Sequence, residues 1–201
     1  MIQMKTVLVN SQLPKKALLV QSLCNLLKEK ILIINTEQSR QIEYALGVED
    51  YCVYDVLDVL GNVVDYKKSM IKIKEQKYIL PSSIKPEKFA SKKEDFENLI
   101  HKLDEFETVI FTQDVGICFD EEIMWGDCEK SNAEKYFQIT DSKSKRKEGY
   151  LYIGKLDFDK SFEKTINTFT QTPIEKIKHI VDNYTNNTPE KIGLIDRILG
   201  R

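Results

Sequence analysis

The chain has 201 residues, 41% hydrophobic and 31% charged, which is the make-up of one compact domain with room for a short appendage and not of a fibre or a disordered tail. A formal charge of −2 excludes a strongly basic nucleic-acid binder, so sequence-specific nucleic acid is not an expected partner and any electrostatic partner must be met by a local patch. No segment approaches the ~20 apolar residues of a membrane span, and the first apolar run is too short for a signal peptide.

The first element is KTVLVN, residues 5 to 10, a β-branched run read as a strand, with Ser11 as a candidate helix cap. Ala17, Leu18, Leu19, Leu23, Leu26 and Leu27 then recur at helical spacing, and ILII at 31 to 34 fits a buried parallel strand. Residues 5 to 34 therefore predict a βαβ unit with a right-handed crossover. SRQIEYALGVEDYCVYDVLDVL, residues 39 to 60, predicts two short helices split at Gly47, and Tyr78 to Leu80 is a third strand candidate closed by Pro81. Residues 92 to 104 carry Phe96, Leu99, Ile100 and Leu103 on one helical face, and TVIFT at 108 to 112 is the next buried strand. Strands alternating with helices predict an α/β fold, with a mostly parallel sheet flanked by helices.

Beyond Gly116 the periodicity weakens. KYFQIT and YLYIGKL read as strands joined by DSKSKRKEG, whose Lys143, Lys145, Arg146 and Lys147 suit a solvated hairpin tip or a contact with phosphate or anionic lipid. Helical text over 160 to 184 is interrupted at Thr172 and Pro173. The scattered cysteines Cys24, Cys52, Cys118 and Cys128 form no CxxC pair and are expected to be buried, reduced thiols of a cytoplasmic protein. His101 and His179 cannot assemble a Ser/His/Asp or Cys/His set, and no zinc spacing exists, so no metal site and no catalytic residue are predicted.

ALGVEDYCVYDVLDVL followed by YILPSS resembles the MinD/ParA family of deviant P-loop ATPases, closest to its MinD branch, over about residues 5 to 117. The resemblance implies a P-loop NTPase-like fold and, in intact members, ATP and Mg²⁺ bound by a glycine-rich loop with a signature lysine. Here Ser11 matches the start of that loop and Lys16 its lysine, but Gln12, Leu13, Pro14 and Lys15 stand between, no glycine precedes Gly47, and Ala17 replaces the Mg²⁺-ligating hydroxyl. Asn35, Thr36 and Glu37 stand where the family has acidic switch residues, Thr112 to Gly116 retain only the glycine of "DspaG", and Gly154 and Lys155 replace the adenine-reading end. The remnant site is Ser11, Lys15, Lys16, Glu37, Asp114 and Gly116, with the two lysines expected to be solvated. No cofactor and no appreciable ATP hydrolysis are expected. The alternative is a divergent ATPase that binds ATP through Lys15 or Lys16, with Glu37 and Asp114 substituting for missing parts.

The tail TPEKIGLIDRILGR places Ile192, Leu194, Ile195, Ile198 and Leu199 on one face of a helix, with Lys191, Arg197 and Arg201 on the other. The chain thus divides into an α/β domain, residues 1 to 184, and a polar tether with an amphipathic helix, residues 185 to 201. The MinD branch ends in a helix that inserts into the membrane surface, so anionic lipid on the inner face of the cell membrane is an expected partner; docking of the tail on its own domain gives the same pattern. A protein partner or homodimer is expected at the switch-region text, with Tyr51, Tyr54, Asp55 and Asp58 as its candidate residues. The function implied is that of a MinD-like binding or regulatory protein in division-site placement or polar positioning.

Overall fold

In the computed structural model, which describes residues 4–162 and 174–187, the chain leaves its first strand and enters its first helix almost without a turn. Strand β1 (Lys5–Ser11) is followed by α1 (Leu13–Leu26) and by β2 (Ile31–Ile34), the predicted βαβ unit. Short elements follow: α2 (Gln41–Leu46), a 3-10 turn (Glu49–Tyr51), α3 (Val56–Leu60) and α4 (Tyr66–Ser69). Helix α2 ends at Gly47, whose φ of 69° is left-handed, a conformation a side chain would resist. Strands β3 (Ile71–Lys74) and β4 (Lys77–Leu80) come next, then α5 (Lys93–Ile100) and β5 (Thr108–Phe111). The last third contributes β6 (Phe119–Trp125), β7 (Ala133–Thr140), β8 (Leu151–Lys155) and α6 (Ile174–Thr185).

The eight strands form one sheet in the order β3-β4-β2-β5-β1-β6-β7-β8. Every neighbouring pair is parallel except β3 with β4. Side-chain alternation divides the core in two. Val7, Val9, Ile31, Ile33, Ile110, Ile123 and Phe137 face α1, α2 and α6, and Leu8, Leu32, Ile34, Val109, Phe111 and Phe119 face α3, α4 and α5. Most of these side chains are fully buried, and each such Leu, Ile, Val or Phe contributes roughly 1.5–3 kcal/mol of transfer free energy. Two-sided burial explains why the central strands read as unbroken apolar runs.

Three expectations are corrected. The segment 141–150 is no hairpin tip, because β7 and β8 run parallel and the segment must carry the chain back along the sheet. Arg146 lies 3.6 Å from the centroid of the Tyr152 ring, and the Lys147 ammonium donates to the Cys128 carbonyl, so the loop is tied down at both residues. Only Cys24 among the four free thiols is fully buried; Cys52 and Cys128 are half-buried and Cys118 is exposed. Burial pushes the Cys24 thiol up to about 11, against the pull of Lys74 and Lys77. Ser11 does not cap α1. Gln12 occupies the cap position without a side-chain bond, and the Ser11 hydroxyl donates to the Trp125 carbonyl at 2.9 Å.

Candidate functional site

In open α/β sheets ligands lie beyond the carboxyl ends of the strands, where the chain order reverses. That point falls at β1, whose neighbours are β5 on one side and β6 on the other. One residue, Gln12, separates the end of β1 from the start of α1. Pro14 lies in the first turn of the helix and has no N–H to offer. Among the described residues, none before Gly47 has a positive φ. The junction is thus a direct strand-to-helix step.

Both lysines of that first turn are engaged rather than solvated, which corrects the expectation. Lys16 is 6% exposed and forms an ion pair with Glu37, itself 7% exposed. The second Glu37 oxygen accepts from the Gln113 side chain at 2.9 Å, so a residue of α1 and a residue beyond β5 converge on one carboxylate beyond β2. Lys15 turns the other way, to Asp141 beyond β7, with its ammonium 5.8 Å from the centroid of the Trp125 ring. Burial would raise the Asp141 carboxyl, but the Lys15 hydrogen bond, the Lys143 N–H and Ser144 outweigh it and hold the group at about 2.

Behind Glu37 a second polar layer fixes the strand ends. Asn35 accepts from the Thr112 hydroxyl at 2.9 Å and from the Glu37 N–H at 3.1 Å, and donates to Glu43 at 2.8 Å. Glu43, fully buried, accepts in turn from the Ser82 N–H at 2.6 Å. This layer ties β2, β4, β5 and α2 together, and its buried polar groups are satisfied by one another. Asn35 is therefore a two-way connector, since an amide can both donate and accept.

Asp114 and Gly116 sit at the exposed end of β5, where the Asp114 carboxylate accepts from the Gly116 N–H at 2.8 Å across a left-handed glycine, φ 82°. The ion pairs of the two lysines go to Asp141 and Glu37 and not to Asp114. Asp114 lines, with Glu37, Gln38, Val56, Leu57 and Phe96 among others, a cleft of about 430 Å³ on the α3/α5 side of the sheet. The six candidate residues are therefore split between four places: the Lys16–Glu37 pair, the Lys15–Asp141 pair, the Asp114–Gly116 turn and the Ser11 bond to the Trp125 carbonyl. Asp141, Gln113 and Glu43, which the sequence does not mark as site residues, complete these arrangements together with Asn35. A lysine in a first helical turn, set against a glutamate just beyond the next strand, was the one available signal.

Of the four candidate partner residues, Tyr51 and Tyr54 are exposed, but Asp55 and Asp58 are buried. Asp55 caps α3 by accepting from the N–H groups of Leu57 and Asp58, the Asp58 carboxylate accepts in turn from the Asp55 N–H, and the Lys88 ammonium reaches both carboxylates at 2.8 and 2.7 Å. Both aspartates serve their own helix terminus. Ile192, Leu194, Ile195, Ile198, Leu199, Lys191, Arg197 and Arg201 lie outside the described residues. Among the described residues no helix is long and apolar enough to cross a membrane.

The sheet order, the flanking helices and the position of the β1–α1 junction define the fold of the MinD/ParA-type P-loop NTPases. Three solved structures represent it. A plasmid partition protein of Borrelia burgdorferi bound to AMPPNP superimposes with a TM-score of 0.70 at 11% identity, covering 92% of this chain and 100% of its own. The septum site-determining protein MinD of Pyrococcus horikoshii, complexed with Mg-ADP, gives 0.68 at 14% identity over 94% and 100%. MinD of Aquifex aeolicus, in its complex with MinC, gives 0.64 at 17% identity over 94% and 98%. No family model and no curated protein matches the chain. At these identities the likeness is one of fold.

Proposed function

We propose that this chain uses the MinD/ParA-type fold without an ATP cycle, as a binding or regulatory protein held at a membrane surface, in the placement of a division site or another polar structure. The observation that carries the reading is the buried Lys16–Glu37 ion pair across a one-residue strand-to-helix step. A triphosphate needs a ring of backbone N–H groups with some residues at positive φ, and a lysine free to meet it. Gln12, Pro14 and Ala17 supply neither the cradle nor a Mg²⁺ hydroxyl, and the lysine already has its counter-ion. The residues present do not fit ATP and Mg²⁺.

The membrane half of the reading rests on the sequence of the tail. Ile192, Leu194, Ile195, Ile198 and Leu199 would enter the acyl boundary while Lys191, Arg197 and Arg201 meet anionic headgroups. So short a helix binds weakly alone, so attachment is reversible and strengthened by self-association or a protein partner. Co-sedimentation with vesicles containing anionic lipid tests the reading. The full chain should pellet to the same extent with and without Mg-ATP, and a chain ending at Thr188 should stay in solution. Equal pelleting of the two chains would remove the membrane role, and pelleting that requires nucleotide would restore the ATP cycle.

A further inference from the structure

Three of the exposed large apolar side chains, Tyr51, Val53 and Tyr54, cluster in the segment before α3. Tyr51 is 67% exposed, Val53 82% and Tyr54 41%. With Met70 and Ile71 they line a groove of about 430 Å³ beside the start of β3. Its charged lining residues are Lys68 and Lys72, and no carboxylate of the described residues lines it. Neither lysine has an ion-pair partner among the described residues. Among the described residues, strand β3 is the last in the sheet and pairs on one side alone, which leaves its outward edge for a further strand.

We propose that this groove receives an extended segment of a protein partner in which an aromatic or branched apolar side chain is flanked by carboxylates. The apolar residue would fill the space between Tyr51, Val53 and Tyr54, the carboxylates would meet Lys68 and Lys72, and the segment's backbone would add to the open edge of β3. The same charges argue against a second copy of this chain. Two β3 edges brought together would oppose Lys72 and Lys74 to their own kind, and the register irregularity between those residues roughens the edge further. The inference rests on the reading that the protein works through a bound partner, and it supplies the chemistry of that partner.

The test is a random peptide library selected on the full chain in the absence of nucleotide, with affinities read by fluorescence anisotropy. The enriched peptides should pair an apolar residue with flanking Asp or Glu, and Val53→Asp or Lys72→Glu should weaken them by about tenfold or more, a difference of about 1.4 kcal/mol. Peptides with their carboxylates changed to lysine should regain affinity for the Lys68→Glu, Lys72→Glu variant, a gain that misfolding cannot produce. Peptides without acidic enrichment, or binding indifferent to these substitutions, would overturn the proposal. So would a concentration-dependent dimer abolished by Val53→Asp. Because nucleotide is absent, a failure here is separate from a failure of the ATP-free reading, which the vesicle and nucleotide measurements decide.

Discussion

Lys16, in the first turn of α1, is joined to Glu37, just beyond β2, by an ion pair whose two side chains are 8% and 9% exposed. Removing one member of a buried pair strands the other charge in a poorly solvating site, which costs about 3–5 kcal/mol. Lys16→Met should therefore lower unfolding free energy by that order, and adding Glu37→Leu should recover most of it. Urea denaturation of the single and double variants reads both steps. A Lys16→Met protein as stable as the parent would mean that the lysine is free for another ligand.

The Asp141 carboxyl has an ordinary value of 3.8 and is held at about 2 in the folded chain by Lys15 and two loop groups, against the effect of burial. A carboxyl depressed by folding stabilises the protein fully above its unfolded value, and that stability is lost as pH falls through the folded value. The contribution should thus be complete above about pH 4 and should disappear towards pH 2. Asp141→Asn should flatten the acid limb of the stability profile in that window. An unchanged acid limb would show that Lys15 does not hold this carboxylate.

How far the sequence reaches is set by whether an element is defined by its own neighbours or by distant ones. β1, β2, β4 and β5 were legible as apolar runs because both faces of each are buried. β6 was not. Its Asp120, Glu121 and Glu122 look like loop text, yet they are met by Thr6, by Tyr184 and Lys5, and by Asn10 and Ser131. In that region only Tyr78 to Leu80 reads as an apolar run, and the IKIK alternation of β3 is the sign of an edge strand. The direction of β8 was hidden because a ten-residue connection suits a hairpin, whereas here it is a parallel return. Lys16 and Glu37 are both legible as candidate site residues, but they lie 21 residues apart and only the fold shows that they pair with each other.

Asp55 and Asp58 were candidate contacts for a partner, and their geometry makes them structural. An N-cap aspartate replaced by alanine costs roughly 0.5–2 kcal/mol, and here Lys88 also loses a partner. Asp55→Ala should lower stability by about 1–2 kcal/mol in denaturant titration, whereas Tyr54→Ser, at an exposed position, should change it by less than about 0.5 kcal/mol. The reverse order would place Tyr54 in the core.

Gly154, in β8, faces α6. A methyl added there would lie 2.9 Å from Ile180 Cγ1 and 3.2 Å from its Cδ1. Overpacking of this kind costs about 1–3 kcal/mol and would push α6 from the sheet. Gly154→Ala should accordingly raise amide exchange in α6 while leaving β1, β2 and β5 protected. Uniform loosening of all four elements would contradict this local account.

On the proposed reading, a one-residue strand-to-helix step and a lysine with its own buried counter-ion leave no place for a triphosphate. Isothermal titration of the full chain with Mg-ATP tests it most directly. No saturable heat is expected, for the parent and for Lys16→Ala alike. Micromolar binding by the parent, with turnover and with loss of both in Lys16→Ala, would contradict it.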